Sequence, residues 1–294
     1  MVFFVGELIS ALKLGSIYAL VAIGYSIVYS IMGMINFAHG ELLMIATYAL
    51  WVFMNMGIGF WPGSFLAIAL TVCAGILIER IAYRPIRNDG ESVQIISSLA
   101  VSIFLESMCR AIFNASGKAL IIPAYFSKTF KILQTNVSVI DLVTFILAIG
   151  MTAAVSIFLK KAKIGKAMRA VEDNPTASDL MGIDRDKVIM AAFAIGSLLA
   201  AIAGILYSGK YTSFNYDMGF MLGVKAFIAA VLGGLGSIYG AVLGSYLMAV
   251  LEVFFAGYLP DSITAYQTVF VFMVLIVVLL VRPEGILGSS VKRS

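Results

Sequence analysis

Residues Leu42–Ile78 read LLMIATYALWVFMNMGIGFWPGSFLAIALTVCAGILI, without one charged side chain. A membrane helix needs about 20 mostly apolar residues, so this stretch is long enough for two. Gly57, Gly59, Pro62 and Gly63 mark the break between them, because glycine and proline interrupt helices. Further charge-free runs cover Leu14–Phe37, Ser92–Leu105 (extended past Glu106), Leu142–Leu159, Val188–Gly209, Ala226–Leu251 and Ser262–Val281. The runs are continuous rather than alternating, which favours helices over a β-barrel. The expected fold is all-α: a polytopic helical membrane protein of about eight transmembrane helices, with room for broken or re-entrant half-helices. Residues 1–294 are read as a single transmembrane domain.

Composition agrees with this reading. The 294 residues are 61% hydrophobic and 12% charged, against roughly 45–50% and 25% in soluble domains. A soluble enzyme, a disordered chain and a disulfide scaffold are excluded. The net charge of +4 is no nucleic-acid footprint, since seven of the 20 Lys and Arg lie in one loop, Lys160–Lys187. Such a cluster orients a chain in the bilayer. Cys73 and Cys109 both sit in apolar stretches and imply neither disulfide nor metal framework. The first ten residues lack a basic n-region and a small-residue cleavage site, so the first helix is expected to act as its own insertion signal.

The positive-inside rule places the Lys160–Lys187 loop in the cytoplasm, with Arg80, Arg84 and Arg87 and the C-terminal Arg282, Lys292 and Arg293 on the same side. Asn114–Ile140 then falls outside. For the first 45 residues a simple count puts the N-terminus outside, and one re-entrant segment would put it inside. A weak repeat at a shift of about 200 residues matches Gly33, Gly40 and Leu43 with Gly233, Gly240 and Leu243, as expected of transporters built from two related halves.

Three segments carry candidate functional residues. In Gly33–Glu41, Asn36 is a favoured N-cap and Glu41 suits the first turn of the helix that follows. This is either a capped surface turn or a broken helix facing a transport route, with Asn36, His39 and Glu41 on the path. His39 has no second ligand at helical spacing, so no metal site is expected. In Leu232–Gly244, Gly236, Gly240 and Gly244 fall on one helical face that permits close packing, and Ser237 is placed to cap a helix as Asn36 is, which makes it a further candidate for the path. Lys225 is either a functional lysine at membrane depth or one that snorkels from a helix end, the latter favoured by Asp217 on the same face. In the basic loop, Asn174 (N-cap), Pro175 (first position) and Gly182 (C′) punctuate a two-turn helix. A helix this short is unstable alone, so it docks on its own neighbours or on a partner. Arg169, Glu172 and Asp173 would rim that contact, and Ile183 would anchor it beside Leu180 and Met181. No phosphate-binding loop and no catalytic residue set are present, so this chain is not expected to be an enzyme or to bind a cofactor itself.

The loop Gly165…Arg169-Ala170…Glu172-Asp173…Ala177…Leu180…Gly182-Ile183 resembles the cytoplasmic "EAA" loop of permeases from branched-chain amino acid ABC importers of the LivH-like type. Leu14–Tyr25 running into Met34-Ile-Asn-Phe-Ala-His-Gly-Glu41 is also similar to that family, as are Lys225–Ser237 and Pro283–Gly288. The resemblance covers almost the whole chain and is poorest over Asn114–Ile140. It implies a permease domain in the cytoplasmic (inner) membrane of a prokaryote. It also implies a homologous second permease subunit, two cytoplasmic ABC ATPase subunits that bind the ATP, and an extracytoplasmic substrate-binding protein. Relatives of this type also carry urea and amides. An ion-coupled secondary transporter stays as the other class. It would need ionisable groups deep in the bundle, and most of Glu41, Glu106, Lys225 and Glu252 are expected near helix ends.

Overall fold

A computed structural model describes residues 2–132, 135–211, 213–260 and 266–288. Helix α1 (Val2–Met32) begins well before the charge-free run and takes Glu7 and Lys13 into the helix. Then come α2 (His39–Asn55), α3 (Phe60–Ile78), a π-helical turn (Glu79–Tyr83) and α4 (Glu91–Phe113). The middle of the chain forms α5 (Val139–Lys161), α6 (Lys163–Asp173), α7 (Pro175–Leu180) and α8 (Arg185–Lys210). The last elements are α9 (Met218–Gly233), α10 (Ile238–Tyr258) and α11 (Gln267–Val281).

Two boundaries differ from expectation. Pro62 and Gly63 lie in the first turn of α3 rather than in the break, because a first-turn residue needs no intrahelical N–H bond. The expected single span Ala226–Leu251 is two helices, α9 and α10, parted at Gly234–Ser237.

Among the described residues, six helices are long and apolar enough to cross a membrane, and α9 and α11 are shorter apolar helices. α1 lies at the centre, with 83% of its apolar window buried, whereas α3, α4 and α5 bury only 22% of theirs. Their outward faces carry Phe65, Ile96, Phe104 and Ile146, an apolar belt suited to lipid. Short strands sit at one end: β1 (Lys118–Ala119) pairs antiparallel with β4 (Ser213–Phe214), Lys118 opposite Phe214. β2 (Thr129–Ile132) pairs antiparallel with β3 (Thr135–Ser138), Thr129 opposite Ser138.

The two ends of the bundle are chemically distinct. At the strand end, Lys13 pairs with Asp141 at 3.0 Å and donates to the Asn136 carbonyl at 3.2 Å. At the other end Arg87 bridges Glu79 (3.0 Å) and Asp186, and Arg84 also pairs with Asp186. Ile286 and Leu287 donate backbone N–H groups to Leu232 and Gly233 at 3.0 and 2.8 Å, which brings the post-α11 segment to that end too. The described basic segments that the positive-inside rule groups together therefore gather at one end, while α1 starts at the opposite, strand end. Lys292 and Arg293 lie outside the described residues.

Candidate functional site

Helix α2 does not start at a surface. His39 packs against Gly24 of α1 and Gly196 of α8. Gly196 lies eleven residues into α8, roughly 16 Å from its start at the basic end at 1.5 Å per residue. The segment 33–38 thus carries the chain back into the bundle, and α2 runs from there to the strand end, so that the two together make one crossing. Helix α9 also starts inside and runs the other way. The first turns of the two cross so closely that a methyl group on Gly40 would lie 2.6 Å from Gly223 Cα, and one on Gly219 would lie 3.0 Å from Glu41 Cα. Two helix N-termini, each with partial positive charge, therefore meet around one carboxylate. Glu41 is fully buried. Its Oε1 accepts from Ser102 Oγ at 2.8 Å, and Oε2 has no hydrogen-bond partner among the described residues. The His39 ring stands edge-on to Tyr25, centroids 4.6 Å apart.

Asn36 is not the N-cap of α2; that position is Ala38, which has no side-chain cap bond. The Asn36 carbonyl takes the His39 N–H at 3.1 Å, and its side-chain Oδ1 accepts from the buried Tyr83 hydroxyl at 2.6 Å. The asparagine ties the break to the π-turn instead. Ser237 does cap, accepting the Gly240 N–H at 3.1 Å, but it caps α10 at the basic end, away from Glu41. Gly236 precedes that helix with φ +88° and is not on its packing face. Gly240 and Gly244 are, and they press on Gly233 and Ala229 of α9.

Lys225 lies mid-way along α9, so the helix-end reading does not hold. It forms an ion pair with Glu252 of α10, and Glu252 also accepts from Tyr18 Oη of α1 at 2.8 Å. This three-helix link is not legible in the sequence, since residues 18, 225 and 252 share no local pattern. The Gly219–Gly223 spacing is legible, being the same close-packing signal as Gly240–Gly244, but was not among the expected packing faces.

The Lys160–Lys187 loop folds as its punctuation predicts. Asn174 Oδ1 accepts the Ala177 N–H at 2.9 Å, with Pro175 opening α7. Gly182 has φ +80°. It donates to Asp179 O at 3.0 Å and Ile183 donates to Ser178 O at 3.1 Å, the paired bonds of a Schellman stop. Ser178 is the buried residue of α7, while Leu180 and Met181 are 85% and 83% exposed. Ile183 packs partly buried against the bundle core, so it is not part of the outward pair. Arg169, Glu172 and Asp173 are exposed on α6. Asp184, paired with Lys187 at 2.9 Å, caps α8. Its carboxyl is held below the usual range by the Lys187 side chain and N–H. Among the described residues no cluster of three or more His, Cys, Asp or Glu is placed to hold a metal.

An apolar belt, long membrane-length helices and two opposed half-helices inside the bundle define a multi-pass membrane transport protein. The family model described as branched-chain amino acid transport system / permease component matches residues 8–279, and the chain belongs to that family. It is 40% identical over 298 residues to the high-affinity branched-chain amino acid transport system permease protein BraD of Pseudomonas aeruginosa, covering 96% of this chain and 95% of the relative. It is 40% identical over 304 residues to the corresponding permease protein LivH of Salmonella typhimurium, covering 97% and 96%. The chain is a multi-pass permease of the inner membrane.

Proposed function

We propose that the chain is the permease subunit of an ATP-binding-cassette importer that moves branched-chain amino acids into the cell. A homologous second permease completes the route. Two cytoplasmic ATPase subunits bind the ATP, and an extracytoplasmic binding protein delivers the amino acid. The observation that carries this reading is the α6–α7 segment at the basic end. Its short helix is capped at both ends, yet it turns Leu180 and Met181 outward. Large apolar side chains on a charged rim are the mark of a contact surface, and Arg169, Glu172 and Asp173 supply that rim.

The coupling route follows from packing. Helix α6 lies on α5 and α8. On α8, Gly204 accepts a hydrogen bond from Thr47 of α2 at 3.0 Å, and Gly196 touches His39. A rigid displacement of the docking segment by closing ATPases then shifts α8 and, through it, the half-helix that carries Glu41. The names of both relatives support the cargo class.

The test is reconstitution in proteoliposomes with the ATPases, the second permease and the binding protein, followed by labelled leucine uptake with and without internal ATP. Uptake is expected only with ATP. Uptake driven by a proton or sodium gradient without ATPases would assign a secondary transporter instead, for which the buried Glu41 and the Lys225–Glu252 pair are the coupling groups. Competition by urea or an amide, but not by leucine, would move the cargo within the family.

A further inference from the structure

Where the end of α8, the 213–217 turn and the start of α9 meet, the outer half of the bundle holds a cavity of about 250 Å³. That is below the roughly 300–1,000 Å³ of drug-sized sites, a volume suited to one small molecule. Its walls combine three kinds of group. Phe214, Met218, Met221 and Leu222 are apolar, and Asp217 and Lys225 carry opposite charges. The Asp217 carboxylate makes no ion pair among the described residues and no cap bond to its own helix. Lys225 spends one of its three N–H donors on Glu252, leaving two.

The two charges face the same cavity from different depths. Asp217 precedes α9 and Lys225 lies eight residues on, about 12 Å along the axis. Helical side chains lean toward the N-terminus. The long lysine stem thus carries its ammonium back toward Asp217, to an oxygen of Glu252. Resting on the importer reading above, we infer that this cavity is a binding site within the permease for an aliphatic α-amino acid. Asp217 accepts the α-ammonium, Lys225 donates to the α-carboxylate, and the methionines, Leu222 and Phe214 take the branched side chain. Unbranched thioether side chains adapt to differently shaped aliphatic groups. Acidic side chains are repelled by Asp217, and larger ones lack room.

The test uses the complete permease–ATPase complex in nanodiscs, without binding protein, and equilibrium binding of tritiated leucine. The wild-type complex is expected to bind leucine saturably, and Asp217→Asn to weaken it at least tenfold. 4-Methylpentanoate, which is leucine without its amino group, should compete poorly on wild type. On Asp217→Asn its affinity should approach that of leucine, a loss of discrimination that a merely structural defect would not produce. Met221→Trp, on the exposed wall of the cavity, should abolish binding even if Asp217→Asn fails to assemble. Wild-type affinity in both variants, or no saturable leucine binding by a wild-type complex that does transport leucine, overturns the cavity and leaves the importer reading intact. A wild-type complex with no ATP-driven leucine uptake overturns the importer reading itself.

Discussion

Substituting Gly40 by alanine probes the crossing of the two half-helices directly. The added methyl would sit 2.6 Å from Gly223 Cα, 3.1 Å from Gly223 N and against the Gly219 carbonyl. Ordinary contact begins at 3.4 Å, so α2 and α9 must separate by at least about 0.8 Å, and by more where the Gly219 carbonyl stands. Backbone stands on the opposing side, and no rotamer change relieves the clash. Overpacking of this kind costs about 1–3 kcal/mol. At about 2–4 °C per kcal/mol for a chain of this size, the midpoint should fall by several degrees. Gly150→Ala is the matched control. It lies in α5 with nothing within 4 Å of the new methyl, and alanine favours helix over glycine by up to about 1 kcal/mol. Thermal unfolding in detergent should therefore separate the two variants in opposite directions, and leucine uptake should fall for Gly40→Ala alone. Equal midpoints and equal uptake would mean that the half-helices do not cross at this distance.

Four further outcomes are expected. Gly182→Val, at φ +80°, strains the Schellman stop; with Leu180→Asp it should weaken ATPase pull-down and uptake at unchanged permease content, and normal values for both would remove the docking role. Lys225→Met leaves Glu252 buried without its cation and should destabilise by about 3–5 kcal/mol, whereas Lys225→Met with Glu252→Gln should recover much of that loss in a melting assay. Asn36→Leu strands the Tyr83 hydroxyl at about 1–3 kcal/mol; adding Tyr83→Phe should restore stability, and no restoration would argue against the bond. Lys163→Cys should resist an impermeant thiol reagent in intact cells, and labelling from outside would invert the assigned orientation.

Much of the site was legible wherever the signal is local. Asn174, Pro175 and Gly182 specify α7 because capping and chain reversal are decided within a few residues, and the structure forms each expected bond. The same rule misplaced Asn36. Its capping propensity was outbid by a tertiary partner, the hydroxyl of Tyr83, 47 positions away. Ile183 looked like one of a surface trio with Leu180 and Met181, but the chain reversal at Gly182 turns it onto the core. Gly236, Gly240 and Gly244 share a helical spacing, yet only the last two lie in a helix. A period can be read from sequence, but the point at which the helix starts depends on what it packs against.

The sequence by itself determined that this is a helical membrane protein, which segments are apolar, which end carries the basic loops and where the short helix α7 begins and stops. Each of these follows from composition or from interactions within one turn of helix, and bilayer thickness acts on hydropathy alone. Only the tertiary structure decided that α2 and α9 are half-helices meeting at Glu41, that Lys225 pairs with Glu252 and Tyr18, and that Asp217 and Lys225 face one cavity. In lipid no hydrophobic force selects which helix faces which. That choice rests on backbone approach at glycines and on buried polar partners far apart in the chain, and neither leaves a pattern in any single stretch of sequence.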